Sequence, residues 1–193
     1  MSDFTVIRAV SETLKALLSD AITNATDPEV PKVPIGLDSP KEMRGSDGVS
    51  LWLYRVVRNA DTFNDPPSRP APDRELRRRL PLDLHYLLTP ISKSAVKRAV
   101  LIGRIVQTLS DHAVLRGAEL KDSLIGSTDE LHVTMETLTL EELTRIWTAL
   151  GDSYEPSITY LVTLAPVDSD LEPVISRRVL TKRITYALVG PAS

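Results

Sequence analysis

Leu80, Leu82, Leu84, Tyr86 and Leu88 occupy alternate positions, and Pro81, Asp83, His85 and Leu87 fill the places between them. An apolar period of two predicts a strand over residues 80–88, ended by Thr89-Pro90. Pro81, which donates nothing to a ladder, assigns this stretch an edge or strand-end position. Leu131 to Leu138 alternates in the same way, as does Ser157 to Ala165 through Ile158, Tyr160, Val162 and Leu164. Val49 to Arg58 sets Leu51, Leu53 and Arg55 against Trp52, Tyr54 and Val56. Both of its sides are substantially apolar, so cover on both faces is expected.

Helical spacing governs three other stretches. Phe4, Ile7, Val10, Leu14, Leu17 and Leu18 form one stripe over residues 3–22, with Ser2 or Asp3 as cap. Ser94 to Ala113 carries Val96, Ala99, Val100, Gly103, Val106 and Leu109 on a stripe that Leu101, Ile102 and Ile105 widen, and it is expected to be the most buried helix. The third is specified residue by residue. Thr139 is its N-cap, Glu142 completes a capping box, and Leu138 with Leu143 makes the hydrophobic staple. Leu143, Ile146, Trp147 and Leu150 then form the docked stripe, and Gly151 supplies a left-handed cap.

Between these elements lie long proline-rich connections, residues 24–48 and 64–73, whose length marks functional or disordered segments. The order helix, strand, strand, helix, strand, helix, strand predicts an α+β domain. It is a mixed, largely antiparallel sheet of about four strands with three main helices packed on it. After residue 172 the chain reads as an extended C-terminal arm. This divides it into a domain over 1–172 and an arm over 173–193, and the arm pairs either within its own subunit or with a neighbour.

Composition removes several function classes. With 193 residues, 42% hydrophobic and 25% charged, the chain is an ordinary globular protein. No apolar run approaches the roughly 20 residues of a membrane span, and the first residues lack the features of a signal peptide, so synthesis and assembly in the cytoplasm are expected. The absence of cysteine removes disulfides, thiolate nucleophiles and cysteine metal sites. A net charge of −3 argues against bulk affinity for nucleic acid.

Reactive patterns are scarce. His85, His112 and His132 stand singly, without metal or triad spacing, and are expected to be structural. No phosphate-cradling glycine loop or nucleophile elbow occurs. Glu141 and Glu142 are first-turn acids that complement the helix dipole. Asp168, Asp170 and Glu172 alternate as a calcium loop begins, but the turn glycine is missing. No catalytic residue, metal or cofactor is assigned. Two basic clusters remain, Arg77, Arg78 and Arg79 ahead of the Leu80 strand, and Arg177, Arg178, Lys182 and Arg183 on the arm. They serve as solvated surface, as a partner interface or, last, as a nucleic-acid site.

Taken together, the run from Leu76 to Pro90, the helix with Leu101-Ile102-Gly103-Arg104, the segment Leu138-Thr139-Leu140-Glu141-Glu142-Leu143 with Trp147 and Gly151, and Ser157-Ile158-Thr159-Tyr160 leading to Pro166-Val167-Asp168-Ser169 carry a resemblance. The chain resembles the cap proteins, or tail terminators, of phage-tail-like contractile injection particles of the antifeeding-prophage and virulence-cassette type. The resemblance implies a non-enzymatic structural cap: a homohexameric ring that ends tube and sheath polymerisation, with sheath and inner-tube proteins as partners. A closed ring needs two different complementary patches per subunit, and the basic clusters and long loops are the candidates. Two other classes compete: a small hydrolase or phosphate-binding enzyme built on Asp83, His85 and the neighbouring arginines, and a nucleic-acid-binding regulator.

Overall fold

The computed structural model describes residues 4–59, 74–75, 80–167 and 174–175. Along them run α1 (Val6–Leu18), β1 (Ile35–Gly36), β2 (Gly48–Arg58), β3 (Arg74–Glu75), β4 (Leu80–Ile91), α2 (Ala95–Asp111), β5 (Val114–Arg116), β6 (Glu130–Glu136), α3 (Leu140–Leu150), β7 (Ile158–Val167) and β8 (Val174–Ile175). One six-stranded sheet has the order β1-β2-β4-β7-β6-β5, with β1 parallel to β2 and all other neighbours antiparallel. The expected mixed α+β architecture is present, with six strands in the sheet where about four were expected. The additions, β1 and β5, are two and three residues long, too short for alternation to reveal.

The alternation of β4 organises the molecule. Leu84, Tyr86 and Leu88 are fully buried in a cluster with Val10 and Leu14 of α1 and Leu101 and Ile105 of α2. Leu87, on the other face of the same strand, is also fully buried but stands outside that cluster, as does Trp147 of α3. The sheet therefore has α1 and α2 on one face and α3 on the other.

Three local expectations change. β4 runs through Thr89-Pro90 to Ile91, because its pairing with β7 stops at Leu88 opposite Ile158 and Pro90 is paired only with Val49 of β2. A proline is tolerated where a strand has become a local edge. Pro81 does lie at a strand end, at a register irregularity between Leu80 and Leu82, and its carbonyl accepts from Asn59 N–H at 3.0 Å. In β2 a bulge between Leu53 and Arg55 shifts the phase, so Arg55 stands opposite His85 and Val56 opposite Leu84. One extra residue exchanges the faces of all that follow. Burial in β2 fades past Leu51, so cover on both faces ends halfway along the strand.

The most buried helix is α1, with Val6, Ala9, Val10, Thr13 and Leu14 inside, rather than α2, which buries Leu101, Ile105, Thr108 and Leu109. Both stripes are rotated from the expected ones: Phe4 is 89% exposed and Val96 74%. Beyond its last α turn, α1 continues as a π turn, Ser19–Thr23, where Asn24 N–H donates to Ser19 O at 2.9 Å. Arg104 of α2 donates to the Ala21 carbonyl at 3.1 Å and satisfies this helix end.

Candidate assembly surfaces

The capped helix forms as its residues dictate. Thr139 Oγ1 accepts from Glu142 N–H at 3.3 Å, and Glu142 Oε2 accepts from Thr139 N–H and Oγ1–H, both at 2.8 Å. These bonds, the backbone one foremost, hold the Glu142 carboxyl below the usual carboxylate range. Gly151 adopts φ 67°, its N–H donating to Thr148 O at 3.0 Å while Asp152 N–H reaches Trp147 O at 3.3 Å. That pair of bonds is a Schellman ending. Trp147 is the anchor, 2% exposed, with its indole N–H donating to Ser157 Oγ at 3.3 Å.

The proline-rich stretch before β2 is an ordered clamp on this helix. Lys41 Nζ donates to Leu150 O at 3.4 Å, and Arg44 pairs with Asp152. Both cations sit at the negative end of the α3 dipole. Ser39 and Glu42 close the turn, the Ser39 hydroxyl donating to Glu42 Oε2 at 2.6 Å and, with the Ser39 N–H, depressing the Glu42 pKa. Met43 fills the space left by Gly36, where a Cβ would come within 2.6 Å of its sulfur. Between clamp and sheet lies a groove of about 300 Å³ lined by Pro40, Arg44, Asp47, Thr89, Pro90, Arg98 and Trp147 among others. Lys97 donates to Asp47 at 3.3 Å on its rim, and with Ser92 holds that carboxyl below its ordinary range.

The residues proposed for an enzyme are engaged separately. Asp83 Oδ1 accepts from Asn59 Nδ2 at 2.9 Å, whereas His85 Nδ1 lies 2.9 Å from Glu136 Oε1. The pair joins β4 to β6 across β7, since Glu136 is opposite Thr159 and His85 opposite Leu161. Tyr54 stands beside it, ring centroids 6.1 Å from His85, and burial followed by the Glu136 charge pushes its phenol up to about 12. The groove is lined by other residues. His112 and His132 likewise lie near glutamates, Glu119 at 2.9 Å and Glu130 at 4.0 Å. Among the described residues no group of His, Cys, Asp and Glu is arranged to hold a metal ion. Sequence reasoning missed Glu136, because its meeting with His85 depends on the order of three strands.

Arg77, Arg78, Arg79, Arg177, Arg178, Lys182 and Arg183 lie outside the described residues. Their neighbours do pair: Arg74 is opposite Ile175 and Glu75 opposite Val174, antiparallel, in a separate two-stranded sheet. The start of the arm thus runs beside the segment that precedes β4 in the same chain. Elsewhere the exposed apolar side chains include Val56 on β2, Val114 on β5 and Leu140 on α3. No helix among the described residues is long and apolar enough to cross a membrane.

Two solved structures share this fold. One is the PVC sheath/tube terminator of an extracellular contractile injection system in its extended state, with TM-score 0.64 and 20% identity over 100% of this chain and 67% of that one. The other is the tube-terminating cap of the anti-feeding prophage, with TM-score 0.63 and 19% identity over 92% of this chain and 60% of that one. This chain thus spans only part of the length of each. No curated protein matches it. The family model described as the Pvc16 N-terminal domain matches residues 9–181, nearly the whole sequence, and the chain belongs to that family.

Proposed function

We propose that this chain is the body of a terminator in a contractile injection particle, a structural cap that ends the growth of tube and sheath. The observation that carries this is the likeness, over 92% and 100% of the chain, to two proteins that are themselves such terminators. The subunits form a homohexameric ring whose partners are the sheath and inner-tube proteins. The protein is made in the cytoplasm and becomes part of an extracellular particle. The role is structural and not enzymatic: His85 and Asp83 are held by different partners, away from the groove.

In this reading residues 1–172 are the ring-forming domain and 173–193 the arm that engages the last layer of the particle. Arg77, Arg78, Arg79, Arg177, Arg178, Lys182 and Arg183 supply its cationic contacts. A patch of one sign on a chain of net charge −3 favours a specific acidic partner surface over bulk polyanion binding. The test is particle assembly with the chain lacking 173–193. The expected product is a folded protein absent from particle ends, with sheaths of uncontrolled length by electron microscopy. Normal capping by the truncated protein would remove the arm from the proposal, and normal particles without the protein at all would remove the function.

A further inference from the structure

Among the described residues the six-stranded sheet is open, and its two borders differ. On the β2 side, β1 covers only Val49 and Ser50. Residues 51–57 have, among the described residues, a strand partner only on the β4 side. On the opposite border β5 is paired, among the described residues, with β6 alone. A long open edge that carries apolar side chains is a template for another strand. Both borders carry exposed valines, Val56 at 46% and Val114 at 41%, and the β2 border adds Trp52, Tyr54 and Arg55, the residue types on which interfaces concentrate their energy.

We infer that β2 of one copy takes β5 of the next copy as its missing neighbour, joining subunits head to tail. The antiparallel steps from β2 to β4, β7, β6 and β5 leave β2 and β5 pointing the same way. Copies related by rotation about an axis along the strands therefore meet with these edges parallel, the sense in which β1 already pairs with β2. The registers also match the faces. Arg55 and Val57 stand opposite His85 and Asp83, and Val114 and Arg116 stand opposite His132 and Glu130. Asp83 and His132 are both opposite Thr163, so all four edge residues share one face. Val57 meets Val114 there, one valine from each edge on the same face.

Because the two edges are different surfaces, the contact is heterologous and repeats until rotation closes it. The inference rests on the terminator reading only for that closure into a ring. The chain has no cysteine, so a single introduced thiol reports only on contacts between copies. Chains carrying Val57→Cys and chains carrying Val114→Cys are co-expressed and treated with a short thiol cross-linker. The expected product is a covalent dimer of one chain of each kind, with no dimer when either variant is expressed alone. A second variant, Val114→Lys, sets a charge on the edge and is expected to lower the assembled fraction at least tenfold while the thermal transition of the subunit persists. Assembly without the mixed product, or dimers of either variant alone, would overturn the edge pairing and leave the cap function standing. A monomer that still occupies particle ends would do the same, whereas a chain that neither assembles nor joins particles would overturn both.

Discussion

Tyr86 fastens the first helix to the sheet. Its hydroxyl lies 2.8 Å from Ser11 Oγ in a buried contact, and Ser11 also donates to Ile7 O at 3.1 Å. Burial raises the phenol pKa well above its ordinary value, with the Ser11 bond opposing. Tyr86→Phe leaves Ser11 its backbone acceptor and keeps the aromatic volume. The expected loss is about 1 kcal/mol, the net worth of one buried hydrogen bond, read from urea unfolding. A loss several times larger would mean that the Ser11 hydroxyl is stranded. At the same scale, Thr13 shows how one side chain serves two elements: Oγ1 donates to Ala9 O at 2.7 Å and accepts from Lys121 N–H at 3.0 Å.

Among the elements, α3 owes its limits to its own residues and its position to others. Thr139→Ala removes the acceptor for Glu142 N–H and is expected to cost about 1 kcal/mol at neutral pH. The pH dependence has a definite sign. The folded pKa of Glu142 lies below its unfolded value, so the stability of the cap is fully present above the unfolded pKa. It is lost as pH falls through the depressed folded value. The gap between wild type and Thr139→Ala in urea midpoint should therefore narrow on acidification, and a gap that widens would reject the capping account. The clamp of Lys41 and Arg44 then fixes where the helix lies, a contact between residues over a hundred positions apart in sequence. The bulge in β2 is the converse case, a one-residue event that reverses which side chains face α1 and α2.

Among the described residues, one face of the sheet is covered by α1 and α2, the other by α3 at one end, and both borders are open. If copies join through those borders, folding and association are linked, and Tm should rise with protein concentration for the wild type but not for Val114→Lys. A wild-type Tm independent of concentration across the assembly range would contradict that link. The main strands and helices were legible because each carries its period over many residues, as Leu80 to Leu88 does, and because the Thr139 to Gly151 helix holds both of its caps within its own sequence. The likeness to terminators rested on these same stretches. The short β1 and β5, the phase shift at Tyr54, the partnership of His85 with Glu136 and the true burial of α1 were decided only by the fold. Periodicity and capping depend on neighbours three or four residues away, so a sequence states them directly. Edges, cross-strand partners and the depth of a helix depend on which distant segments come to lie alongside, and only packing the whole chain determines that.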